Sequence, residues 1–141
     1  MHEVRLQLRW RDMDAYGHVN NAVYLNYLEE ARDAWVDAVL APVADDVWHF
    51  VLARVAIDFR RELKQDDGEI VVRCALESIG RSSIRTREEI RTLDGTLSAE
   101  AAAVIVPRDP RTGTSRPLTE DERAALEHEL SSDGDPRGRL R

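Results

Sequence analysis

The sequence predicts an α+β domain: an antiparallel sheet of five or so strands covered by one long helix. Three observations point there. Apolar and polar residues alternate in one segment near the N-terminus and in four more from residue 51 onward, the period of strands with one buried face. Between the first and second of these, apolar residues recur every three or four positions over residues 22–40, which places them on one helical face. The later segments are joined by short turn sequences, and short connections make neighbouring strands antiparallel.

The first strand is carried by Val4, Leu6, Leu8 and Trp10, alternating with Arg5, Gln7, Arg9 and Arg11. It leads directly to Asp12 and Asp14 and a polar turn, DAYGHVNN. Tyr24, Tyr27, Leu28, Ala31, Ala34, Trp35 and Ala38 then form the apolar face of the helix, which Pro42 stops. Val51, Ala53, Val55, Ile57 and Phe59 mark the next strand; Ile70, Val72, Cys74 and Leu76 the one after; Leu97, Ala99, Ala101, Ala103 and Ile105 the last. Between the last two, Ile84 and Ile90 share one parity, opposite Arg85, Arg87, Glu89 and Arg91. QDDG, IGRS and LDGT supply the turns, so these four strands are expected to form a meander. A sheet with one apolar face needs a cover, and helix 22–40 is the only long apolar element available. Thr119 with Glu122 three residues later is a capping box opening a short second helix, and residues 131–141 read as a flexible tail after a domain of residues 1–130.

A chain of 141 residues suits one domain, and with 43% hydrophobic and 33% charged residues it falls in the globular class. The net charge of −7 argues against nucleic acid as a partner, because phosphate neutralisation needs a dense basic surface. The positive charge is almost all arginine; Arg60 and Arg61 offer a planar contact for one anion or simply a solvated strand edge. Cys74 is the single cysteine, so no intrachain disulfide forms, and its place in a strand reads as buried packing. Neither a secretion signal nor a membrane-spanning run is visible, which gives a cytoplasmic expectation. His2, His18, His49 and His128 show no metal-ligand spacing, and no cofactor is implied.

The polar turn holds the chemistry. A helix start exposes unpaired backbone N–H groups at the positive end of the helix dipole and so attracts developing negative charge. Asn20 or Asn21 caps the helix, Gly17 allows a tight turn, and Asp14 comes to the same place. A carboxylate beside free amides suits attack on a carbonyl: Asp14 as base or nucleophile, a backbone N–H near Asn21 as oxyanion donor. The same residues also describe a capped helix start without catalysis. His18 reads either as a substrate or proton-transfer group or as a hydrogen-bond partner in the turn, and Tyr24 as core or as pocket lining. Glu29 and Glu30 read as a second carboxylate or as solvent-facing residues, with Glu29 placed to pair with Arg32 along the helix.

The run RWRDMDAYGHVNNAVYLNYLEEAR, residues 9–32, resembles the signature of the 4-hydroxybenzoyl-CoA thioesterase-like branch of the hotdog-fold superfamily. Likeness continues through ARVAIDFRREL, IGRSSIRTREEI and AAAVIVPRDPRTGTSRPL, covering about the first 120 residues in order. The resemblance implies a curved antiparallel sheet wrapped around the long helix and hydrolysis of an acyl-CoA to a carboxylic acid and CoA. It further implies a homodimer or homotetramer with active sites between subunits. It places the catalytic aspartate at Asp14, with Asp12 the weaker candidate, and the carbonyl-polarising amide at Asn21; Gly17, His18 and Asn20 occupy matching positions. Alternatives from the same superfamily are an enoyl thioester hydratase or dehydratase and a non-catalytic acyl-thioester binding module.

Overall fold

The computed structural model describes residues 1–133. In chain order these are β1 (His2–Gln7), α1 (Asn21–Leu40), β2 (Phe50–Phe59), β3 (Glu69–Ile79), β4 (Ile84–Thr92), β5 (Leu97–Pro107) and α2 (Glu120–Asp133). The strands form one antiparallel sheet in the order β1-β3-β4-β5-β2, curved around α1 in the hotdog arrangement that the sequence implied. Helix α1 packs chiefly against β3 and β1, and also against α2 and β4. Its Leu28, Trp35 and Leu40 meet Ile70, Val72 and Leu76 of β3 and Ile84 and Ile90 of β4 in the core. Burying such side chains stabilises the fold by about 1.5–3 kcal/mol each, so the helix is held by the sheet rather than by its own propensity.

Asn20 caps α1. It has extended backbone angles (φ −62°, ψ 138°), and its side chain accepts from the Ala22 N–H. The helix ends at Leu40, and Pro42 lies in the turn that follows. The second helix opens with the expected capping box: Thr119 N–H donates to Glu122 Oε1 at 2.9 Å and Glu122 N–H to Thr119 Oγ1 at 3.1 Å. It continues through Ser131 and Ser132 to Asp133, three residues assigned to the tail from sequence; residues 134–141 lie outside the described residues.

The meander is three strands, not four. β2 does not pair with β3 but with β5, Ile57 opposite Ala101, while β1 occupies the β3 edge with Val4 opposite Val72. The QDDG turn is only the end of a longer connection, residues 60–68, whose start turns away from β2 where Arg60 and Arg61 N–H both donate to Ser98 O. That span lets the chain cross to the far side of the sheet. β2 is therefore an edge strand, and Ala53 and Phe59, expected on its buried face, are exposed. Trp10 is likewise 78% exposed, because β1 ends at Gln7 and Trp10–Asp12 turn away as a 3-10 helix. Glu89, expected among solvent-facing residues, is buried between Arg73 and Arg91, which neutralise it at 3.2 and 2.8 Å.

Candidate active site

The segment from Asp14 to His18 is a tight loop closed by the antiparallel bridge Met13/Val19. Asp14 N–H donates to His18 O at 2.8 Å and Gly17 N–H to Asp14 O at 3.1 Å, a return that needs the left-handed φ of 82° at Gly17. Asp14 Oδ1 accepts from the Tyr16 N–H at 2.9 Å and more weakly from the His18 N–H at 3.4 Å. The loop thus holds the carboxylate by one oxygen, and Oδ2 has no hydrogen bond among the described residues.

Asp12 anchors this loop to the helix. Its carbonyl accepts from the Asn20 N–H at 3.0 Å, while its buried carboxylate accepts from Tyr27 Oη at 2.7 Å and from the Arg9 N–H at 3.2 Å. Burial, reinforced by the Asp12 carboxylate, pushes the Tyr27 hydroxyl pKa well up, so Tyr27 remains a donor. Asp12 does not line the cleft that Asp14 lines.

That cleft, about 630 Å³, lies between the Asp14 loop, the first turn of α1 and the segment Phe59–Glu62. Asp14, His18, Asn21 and Tyr24 all line it. Asn21 is the first residue of α1, so its N–H has no intrahelical acceptor. Gly17 and Asn20 do not line the cleft: one shapes the loop and the other caps the helix. Tyr24 fills both roles read for it. Its hydroxyl accepts from the Leu63 N–H at 3.1 Å, its ring meets Phe59 edge-on at 5.0 Å, and burial raises its pKa.

Phe59, Arg60, Arg61 and Glu62 were not tied to this loop by sequence reasoning. His18 Nδ1 lies 2.7 Å from Glu62 Oε2, a partner with no local spacing to reveal it. Arg60 pairs with Glu100 at 2.6 Å and Arg61 with Asp67 at 3.2 Å, so both arginines are tied to carboxylates at the cleft's rim.

Glu29 and Glu30 line a different cavity, about 560 Å³, with Arg32 and the start of β2. Arg32 does not pair with Glu29. It turns inward and grips Glu88 of β4, Nε to Oε2 at 2.8 Å and Nη2 to Oε1 at 2.7 Å, while Thr86 Oγ1 donates to Oε2 at 2.8 Å. Position 88 shares the inward parity of Ile84 and Ile90, and a carboxylate there is buried only because the arginine meets it. Cys74 packs beside this pair, buried as expected, and burial raises its thiol pKa well above the usual value. Among the described residues no group of three or more His, Cys, Asp or Glu could hold a metal ion, and no helix is long and apolar enough to cross a membrane.

Residues 8–134 match the profile of a family described as the thioesterase-like superfamily. The chain is 28% identical over 130 residues to the long-chain acyl-CoA thioesterase FadM of Escherichia coli K12, covering 89% of this chain and 96% of FadM. It superposes with a TM-score of 0.81 and 32% identity on a thioesterase from Thermus thermophilus complexed with coenzyme A and Zn, over 92% of this chain and 94% of that one. A Staphylococcus aureus protein, SAV2348, in complex with CoA, shares the fold at a TM-score of 0.81 and 12% identity, over 92% of this chain and 84% of that one.

Proposed function

The chain belongs to the thioesterase-like superfamily, and we propose that it hydrolyses acyl-CoA thioesters to a carboxylic acid and free CoA. One observation carries the reading beyond family membership: Asp14 and the first residue of α1, Asn21, line the same cleft. The thioester carbonyl enters with its oxygen toward the Asn21 N–H, at the positive end of the α1 dipole. Asp14, held through Oδ1, presents Oδ2 to the carbonyl carbon, either by taking a proton from an attacking water or by direct attack. The carbon–sulfur bond breaks and the thiolate of CoA takes a proton; on the direct-attack route water then hydrolyses the acyl–aspartyl anhydride and regenerates the Asp14 carboxylate, so on either route the net oxygen added comes from water. His18 and Tyr24 wall the site, with His18 fixed by Glu62 and Tyr24 by the Leu63 amide.

The active unit is a homodimer or homotetramer with the cleft completed between subunits. Support comes from β2, which among the described residues is an edge strand paired on one side only and which carries the exposed apolar side chains Leu52 and Phe59, a surface that demands cover. Light scattering checks this; a monomer at assay concentration refutes it.

The test is a panel of short, long and aromatic acyl-CoA thioesters, with thiol release read by a colorimetric dye. Wild type should release CoA, and Asp14→Asn should lose about 10²–10⁴-fold in turnover while keeping its circular dichroism spectrum. Wild-type turnover in that variant would remove Asp14 from the mechanism. Including an enoyl-CoA separates the hydratase alternative, which consumes the double bond without releasing thiol; binding without either reaction identifies a non-catalytic module.

A further inference from the structure

The cavity beside Arg32 is built differently from the cleft that holds Asp14. Both lie in the trough between α1 and β2, one at the start of the helix and the end of the strand, the other between residues 29–37 of α1 and residues 50–52 of β2. Val36, Val47, Phe50, Leu52 and Ile105 give the second cavity an apolar lining. Beside these apolar side chains sits a buried donor that the fold has aimed and left partly unused. Arg32 is only 5% exposed, and Glu88 engages its Nε and Nη2 in a two-point grip that fixes the guanidinium plane. Nη1 makes no hydrogen bond among the described residues and is not sealed in the interior as Trp35 Nε1 is. Its residue opens onto the cavity.

Charge decides what such a donor can take. Glu88 cancels the charge of Arg32, and Glu29, Glu30, Asp33 and Asp37 surround the cavity with carboxylates. An anionic ligand is repelled there, whereas a neutral oxygen acceptor gains a hydrogen bond from a charged donor in an apolar setting.

We propose that this cavity receives the distal part of the acyl group and that Arg32 Nη1 hydrogen-bonds an uncharged carbonyl or hydroxyl oxygen on it, so that oxygen-bearing acyl thioesters are selected over their plain saturated counterparts. The proposal rests on the reading of the protein as an acyl-CoA hydrolase. Arg32 then acts in specificity, and its desolvation is offset by Glu88 on one edge and by substrate on the other.

The experiment uses the full chain and matched acyl-CoA pairs of equal length, one saturated and one carrying a single hydroxyl or oxo group at successive positions along the chain, plus one ω-carboxyl member. For at least one position kcat/KM of the oxygenated member should exceed that of its saturated partner by about tenfold or more, the worth of one hydrogen bond to a charged group. The ω-carboxyl member should show no such gain. Arg32→Lys keeps a positive charge for Glu88 but lacks the second edge of the guanidinium, and should bring the ratio within each pair close to one. Equal kcat/KM across all pairs in wild type overturns the proposal whether or not the variant folds, as does a preference that survives in folded Arg32→Lys. Hydrolysis of no thioester at all overturns the hydrolase reading itself, an outcome distinct from indifferent hydrolysis of every pair.

Discussion

Tyr27 donates its hydroxyl proton to Asp12 across 2.7 Å, fastening the second turn of α1 to the segment that leads into the Asp14 loop. The contact is buried, and Asp12 also holds the loop's far end through its carbonyl and the Asn20 N–H. Asp12 and Asp14 are two residues apart but do different work: one is turned inward as an anchor, the other faces the cleft.

Tyr27→Phe should therefore destabilise the protein by about 1.5–3 kcal/mol, since it strips a neutral donor from a buried carboxylate. Urea denaturation measures the change. A drop in kcat with little change in KM should accompany it, because the loop that aims Asp14 is loosened rather than removed.

Asn21→Pro isolates the backbone donor with little structural penalty. Position 21 is the first residue of the helix, where proline is favoured, and Asn20 already has the extended backbone that a following proline requires. Turnover should fall about 10²–10³-fold while the helical signal is preserved. A folded variant of full activity would place the oxyanion donor elsewhere.

The Arg32–Glu88 pair should behave as a buried unit. Arg32→Met or Glu88→Leu alone leaves one uncompensated charge in the core and should cost about 3–5 kcal/mol. The double variant Arg32→Met/Glu88→Leu should recover most of that loss, because both charges go and apolar volume replaces them. Denaturation of the four proteins in a double-mutant cycle reads the coupling; additive losses would mean that the two side chains act independently.

Acid should loosen the base of α2. Burial by itself would raise the pKa of Glu122, but the two-point Arg116 contact at 2.8 and 2.9 Å and the Thr119 amide outweigh it, leaving the carboxyl below its ordinary value. A depressed folded value means that the unfolded chain binds the proton more tightly. The stabilisation is complete above the unfolded glutamate pKa of about 4.3 and drains away as pH falls through the folded value. In a melting-temperature series from neutral to acid pH, Glu122→Gln should start lower and show a shallower acid decline than wild type; parallel curves would deny the linkage.

Much of the site was legible because its parts are neighbours in the chain. Asp14, Gly17, His18, Asn20 and Asn21 fall within one turn and a helix start, and hydrogen bonds reaching only a few residues determine their arrangement. Glu62 was not legible: it reaches His18 only because the connection after β2 is held on either side of it, the Arg61 N–H donating to Ser98 O and Leu63 O accepting from the Val19 N–H. Arg32 was misread for a related reason. Helical spacing offered Glu29 as its partner, yet Arg32 sits on the flank of the buried stripe, and an arginine facing inward needs a carboxylate from another element.

Local patterns were enough to set the kinds of element and their order, the capped start of α1 and the loop before it, since periodicity, caps and turns are properties of residues within a few positions of one another. Long-range packing set the rest: β1 and not β2 lies beside β3, β2 takes an edge of the sheet, and Arg32 closes on Glu88. Those outcomes depend on which strand claims an unpaired edge and which buried charge finds its opposite. Both are competitions among distant segments, resolved only when the whole chain is compact.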